Sequence, residues 1–265
     1  MKKSFILLSL LTTGILVSFV PDNSKYMPVT TDSNSALSLY REAMKYYSDV
    51  NIDMALETFK KALDKDTDFF MANYQLAFYY FLNRSADDFE QYADAAISCK
   101  SNLSDAEDLL KNVLVSFMNG KTDVTALGEK LVKLYPEDPD SYNNLVSFQS
   151  IAGDTVAMVG TLQKAISVIP DAAPFYNQLG YAYLTLKQTD KAEKAFDKYI
   201  DLDPANPNVY DSKGDYYMYV KKYEKAYDSY MKANSMDPSF SRDKADAAKR
   251  LYEQTEGSSI QLIDT

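Results

Sequence analysis

The chain of 265 residues lacks histidine and tryptophan and has one cysteine, Cys99. Histidine is the commonest general base and the commonest metal ligand, and its absence also excludes Ser–His and Cys–His nucleophile pairs. A single cysteine excludes an intrachain disulfide. Glycine is rare, at eight residues, and no glycine-rich phosphate loop is present. These absences argue against catalysis, so we expect no enzyme and no cofactor.

Acidic residues outnumber basic residues, and the formal net charge at pH 7 is −10. Such a surface repels nucleic acid and anionic lipid, and we expect neither as a partner. A carboxylate-dependent hydrolase is the remaining enzymatic alternative, since the chain has 38 acidic residues. Most of these carboxylates fall at helix starts and exposed faces, where solvation and the helix dipole favour them. We therefore rank a hydrolase last and expect no small-molecule substrate.

A period of 34 residues runs through the chain. It is marked by Pro136, Pro170, Pro204 and Pro238, by Tyr142, Tyr176 and Tyr210, by Gly180 and Gly214, and by Ala192 and Ala226. A fixed period indicates one supersecondary unit used repeatedly. Each period holds two apolar faces at helical spacing, and alternating β-branched runs are few. The sequence therefore predicts pairs of short amphipathic helices and no sheet.

The pattern of these residues resembles the tetratricopeptide repeat, most closely in residues 173–206 and 207–240. The first of these copies carries Tyr176, Leu179, Gly180, Tyr183, Ala192, Phe196 and Pro204. The resemblance implies an all-α, right-handed superhelical solenoid of about six helix-turn-helix pairs with a C-terminal capping helix. We expect the array to span 36–240, with copies at 36–69, 70–104, 105–138, 139–172, 173–206 and 207–240, and the cap to span 241–254. In the last copy, Asn206 is predicted to cap a helix that begins at Pro207.

The two ends differ from the array. Residues 1–20 have two lysines followed by 16 mostly apolar residues, the layout of a secretory signal, with an uncleaved membrane anchor as the alternative. This layout predicts an exported protein of the bacterial periplasm or cell envelope. Residues 21–35 are rich in Ser, Thr, Asp and Pro and predict a flexible linker, and 255–265 predict a disordered tail.

One acidic cluster has the opening spacing of a calcium loop, namely Asp64, Asp66 and Asp68. Phe69 stands where that loop needs glycine, and Gln75 stands where it needs glutamate. We therefore expect no metal site, and an acidic turn in which Asp68 caps the next helix.

In proteins that this chain resembles, the first helices of successive repeats line a concave groove. Carried onto this sequence, that groove is aromatic and apolar in its first half and polar in its second. The candidate partner-binding residues are Tyr40, Met44, Tyr47, Met71, Tyr74, Phe78, Phe81, Asn143, Asn177, Tyr181, Asp211 and Asp215. We call the apolar candidates, from Tyr40 to Phe81, the aromatic stripe. The alternative interpretation is that the aromatic stripe packs against the linker, the neighbouring helices or a second copy of the chain.

The resemblance and the missing chemistry together favour a non-catalytic scaffold or adaptor of the cell envelope. It would bind a protein partner through a peptide or helix in the groove, and self-association is compatible with this role. The alternative is a holding chaperone or assembly factor for envelope or secreted proteins, which would grip apolar segments transiently.

Overall fold

The computed structural model describes residues 25–48 and 50–261, with side chains described through residue 255. The described part contains thirteen helices and no strand, which confirms the all-α prediction. The helices are α1 (Asn34–Ser48), α2 (Ile52–Leu63), α3 (Phe70–Leu82), α4 (Ala86–Ile97), α5 (Asp105–Met118), α6 (Thr125–Leu134), α7 (Pro139–Ile151), α8 (Thr155–Val168), α9 (Ala173–Thr185), α10 (Thr189–Leu202), α11 (Pro207–Tyr219), α12 (Tyr223–Met236) and α13 (Arg242–Gln261). In that part, no helix is long and apolar enough to cross a membrane. The predicted leader at 1–20 lies outside the described residues.

Each helix packs mainly on its neighbours along the chain, and this pattern makes the molecule a helical repeat solenoid. Each of the six expected copies corresponds to one pair of helices, from α1 and α2 to α11 and α12, with α1 beginning two residues before the first copy. Helix α13 packs on α12, where its Ala245 and Ala248 are fully buried. It extends to Gln261, beyond the predicted end of the cap at 254 and into the segment predicted as a tail.

The turn inside every pair has the same backbone geometry. One residue in each turn has a positive φ, between 58° and 77°, and these residues are Val50, Arg84, Gly120, Gly153, Lys187 and Lys221. The next amide in each turn donates to a carbonyl five residues earlier, at 2.8 to 3.0 Å. This is the Schellman arrangement, which satisfies carbonyls left free at a helix end. Only two of the six residues are glycine, so backbone hydrogen bonds set the bend.

Close helix contacts explain the periodic glycines. A Cβ atom built on Gly180 would lie 2.6 Å from Cε1 of Phe196, so α9 and α10 meet where only glycine fits. Gly214 faces the ring of Tyr230 in the same way, between α11 and α12. A bulkier residue at either position would force the aromatic ring out of the core.

The periodic prolines follow the second helix of a pair. Helices α6, α8, α10 and α12 each end two residues before a proline, which cannot continue the helical hydrogen-bond ladder. The helix after the third proline begins as predicted: α11 starts at Pro207, and the Asn206 side chain accepts from the Asn208 amide at 3.0 Å.

The segment before α1 is the main departure from the predicted layout. Residues 25–33, which we call the strap, were expected to belong to a flexible linker. Instead Met27 is buried in the N-terminal core and Val29 packs against it. The strap reaches residues near the starts of α3, α5 and α7, and Ser33 then caps α1 by accepting from the Ala36 amide at 3.2 Å.

Candidate partner-binding face

The predicted aromatic stripe in the first two repeats is largely core. Tyr40, Met71 and Tyr74 are only 4%, 4% and 1% exposed. Burial raises the pKa of both tyrosine hydroxyls. The Tyr74 hydroxyl donates to Asn144 Oδ1 on α7 at 2.8 Å. Burial at this level leaves no surface for a partner, so these three residues are removed from the candidate binding set.

The other apolar candidates differ in how much of their surface is exposed. Phe78 lies between Phe117 and Phe148, and Phe81 stacks on Phe117 with ring centroids 4.0 Å apart. Met44 is half-buried against the same core. Tyr47 keeps 38% of its surface exposed and is the most open member of the stripe. The packing alternative therefore describes most of the stripe.

Asp211 and Asp215, at the end of the array, belong to a network of internal bonds. Lys244 on α13 lies 2.8 Å from Asp211 Oδ2 and 3.0 Å from Asp215 Oδ1. Tyr181 and Tyr230 donate their hydroxyls to Asp215, each at 2.7 Å. Both carboxylates are thus paired within the chain, and their main role is to fix α13 against α11.

Polar side chains also lie on α7 and α9, in the middle of the array. We call Asn143, Asn177, Gln178 and Tyr181, on α7 and α9, the polar face. Gln178 Nε2 donates to Asn143 Oδ1 at 3.1 Å, and the Tyr181 ring is 36% exposed. Asn177 Oδ1 is buried and has no hydrogen-bond partner. A buried acceptor without a partner carries a desolvation penalty of about 1–3 kcal/mol.

Comparison with known proteins supports the repeat assignment directly. The sequence profile of the tetratricopeptide repeat matches residues 173–206 and 207–240. Residues 173–240 carry two tetratricopeptide repeats. Such repeats generally bind proteins or peptides and are typically non-catalytic.

Two further comparisons add little to this assignment. No curated protein matched the chain. One of the solved structures that match, titled "Crystal structure of MamA protein", is 19% identical, with an alignment that covers 77% of this chain and 92% of that chain at a TM-score of 0.35. Because that TM-score is low, the fold assignment depends on the packing of the chain's own helices.

Four carboxylates near the starts of the array's helices hold the strap, and we call them the acidic ledge: Asp66, Glu107, Glu137 and Asp138. Glu107 accepts from the Thr30 amide at 2.9 Å and from the Thr30 hydroxyl at 2.8 Å. Asp138 accepts from the Met27 amide. The Thr31 hydroxyl donates to Asp66 at 2.5 Å, and Lys25 pairs with Glu137 at 2.5 Å.

Sequence reasoning missed the ledge, although two of its members carry a local signal. Ser104 and Glu107 form a capping box at the start of α5, and Asp138 caps α7 beside Pro139. Such patterns predict helix starts. They do not reveal that the same carboxylates also accept from a segment 77 and 111 residues away.

Two carboxyl groups at the start of α7 have raised pKa values. Burial, together with the neighbouring Asp138 charge, raises the pKa of Asp140 to about 6. Burial also raises the pKa of Asp138, although backbone amides oppose the shift. Asp138 is buried beneath the strap, and its oxygens accept from Met27 and Asp140. The Asp138 carboxylate therefore serves as a hydrogen-bond acceptor for the strap and for the start of α7.

The acidic turn at residues 64–68 joins two repeats. Asp68 accepts from the Lys100 and Ser101 amides at 2.9 to 3.1 Å, so it fixes the loop before α5. The expectation that Asp68 caps the next helix is wrong, because α3 has Phe69 as its N-cap residue and no side-chain cap. Across the described residues, no group of three or more acidic or cysteine side chains is arranged to hold a metal ion.

Proposed function

We propose that this chain is a non-catalytic interaction scaffold that binds a segment of a partner protein on the polar face of its tetratricopeptide array. The observation that carries the proposal is Tyr181, which stays 36% exposed while its hydroxyl is held by Asp215. Its ring would supply apolar contact to the partner, and the polar side chains around it would supply hydrogen bonds.

The geometry of the polar face favours an ordered site. Gln178 bonds to Asn143 in the preceding repeat, and Tyr181 bonds to Asp215 in the next one. These side chains are therefore held across three successive repeats before any partner arrives. A site that is already ordered loses little conformational entropy on binding.

The test is capture of partners by the tagged protein from extracts of its native cells. Tyr181→Ala should weaken capture about 5- to 30-fold, as expected for the loss of roughly 1–2 kcal/mol of contact. Tyr219→Ala is the matched control, because Tyr219 is also exposed and lies outside the polar face. Full capture by a folded Tyr181→Ala variant would contradict the proposal.

The holding chaperone is the rival, and the buried stripe weakens it. A holdase needs a continuous apolar surface for its clients. Tyr40, Met71 and Tyr74 were the centre of the expected apolar surface, and they are buried. The capture experiment separates the two functions, since a few partners in fixed ratio support the scaffold and a broad set of clients supports the holdase.

We also propose that the scaffold is exported and acts in the cell envelope. The proposal depends on the layout of residues 1–20, with Lys2 and Lys3 before the apolar run. Cell fractionation tests the location, and mass spectrometry of the mature N-terminus tells a cleaved signal from a retained anchor. Recovery of the protein with its leader intact in the cytoplasmic fraction would overturn export.

A further inference from the structure

We propose that the strap is an internal ligand, and that the acidic ledge beneath it is a second binding site, for an extended partner segment that displaces the strap. This site differs from the polar face, so either proposal can fail without the other. The partner segment would carry the chemistry of residues 25–31: a basic residue, a methionine-sized side chain two residues later, and a hydroxyl residue three residues after that.

The strap is bound as a peptide would be bound. The amides of Met27 and Thr30, three residues apart, donate to carboxylates at the starts of α7 and α5. An extended chain advances about 10 Å over three residues. The strap thus passes from the start of α7 to the start of α5 with one backbone donor at each. Pro28 lies between the two donors and interrupts neither bond.

The ledge is held in place without the strap. Glu107 Oε2 accepts from the Ser104 amide and from the Ser104 hydroxyl, both at 2.8 Å, as part of the α5 capping box. Asp138 Oδ1 accepts from the Asp140 amide at 2.6 Å as the cap of α7. Helix capping therefore keeps both carboxylates aimed at the segment if the strap leaves. A site that stays formed can accept another segment at once.

Part of the recognition uses the main chain. Any residue except proline can supply the amides that Met27 and Thr30 supply here. Side-chain selection comes from the buried Met27, from the Thr30 and Thr31 hydroxyls, and from the pairing of Lys25 with Glu137. The negative charge of the ledge further favours a segment that carries a basic residue.

A competition experiment tests the exchange. The probe is a labelled, end-capped peptide with the sequence of residues 25–31, titrated into the full chain with fluorescence anisotropy as the readout. Thr30→Pro removes the donor amide and the hydroxyl from the strap and remains compatible with extended backbone. A tethered segment competes at an effective concentration on the order of millimolar. The peptide should therefore bind the Thr30→Pro chain at least about 10-fold more tightly than the wild-type chain.

Asp32→Pro is the matched control, because Asp32 is exposed and the change leaves the amides of Met27 and Thr30 intact. It should bind the peptide as weakly as the wild-type chain does. A peptide with proline in place of its own threonine at position 30 should lose binding to the Thr30→Pro chain. Equal peptide binding by all three chains would overturn the proposal, and so would loss of folding on Thr30→Pro, since the strap would then be a permanent part of the fold.

Native-state hydrogen exchange on the unaltered chain provides a second readout. If the strap opens while the array stays folded, the Met27 and Thr30 amides should exchange at least about 10-fold faster than the Tyr74 amide in α3. Exchange of all three at one rate would show that the strap leaves only on global unfolding, and the proposal would be wrong.

Discussion

The first three repeats and the last three form the same helix pairs in different ways. Repeats 173–206 and 207–240 have the glycine, tyrosine and closing proline of the tetratricopeptide pattern, whereas 139–172 has the tyrosine and the proline only; the helices of all three pack mainly on immediate neighbours. The early repeats lack glycine where α9 and α11 have it, and Ala43, Ala77 and Asn112 stand at those positions. Their core is instead closed by aromatic contacts from α3 to α7, and by the strap. Loss of the repeat pattern is thus compensated by longer-range packing.

The largest expected effect breaks the long-range packing of the early half. Tyr74→Ala removes ring stacking on Phe70 and Phe78 and the hydrogen bond to Asn144. We expect the free energy of unfolding to fall by about 3–5 kcal/mol, as for other large buried side chains. Denaturant titration measures it. Tyr219→Ala on α11 is the control, because Tyr219 is largely exposed, and its effect should stay within about 0.5 kcal/mol. Equal effects would mean that the stripe is not core.

A smaller effect tests the close contact of the later half. Gly180→Ala should lower the free energy of unfolding by roughly 1–3 kcal/mol, because the new methyl group meets the Phe196 ring. The control is Gly160→Ala on α8, where no atom lies within 4 Å of the added carbon. That change should stabilise the chain by about 1 kcal/mol, since alanine favours the helix. Destabilisation by both changes in the same titration would contradict the contact between α9 and α10.

The smallest predicted effect concerns Asp140, at the junction of the two halves. Its pKa of about 6 in the folded chain lies above the value in the unfolded chain, so the folded state binds the proton more tightly. This residue should therefore add stability as the pH falls from 7 to 5, by about 1 kcal/mol. Denaturation at both pH values measures it, with Asp140→Asn as the comparison. The pH effect should shrink in that variant, and an unchanged effect would assign it to other groups.

Much of the fold could be predicted from the sequence, because the spacing of Pro136 to Pro238 and of Gly180 to Gly214 reports local packing that recurs every 34 residues. The candidate site was harder to predict. Repeat register places Tyr74 on the inner side of its helix, but only the path of the whole array brings that side chain to Asn144. The strap contacts also join residues far apart in sequence, and composition alone favoured a linker.

The six turns within the helix pairs bear on how such an array can change over time. The same left-handed bend accepts Val50, Arg84, Gly153 and Lys187, so the bend itself places little demand on the side chain. The glycines between packed helices have no such freedom, since a single added carbon meets an aromatic ring. The sequences of duplicated copies can therefore change at the bends, while the residues at the helix contacts are retained. Variation at the bends lets each copy present a different surface without disturbing its neighbours.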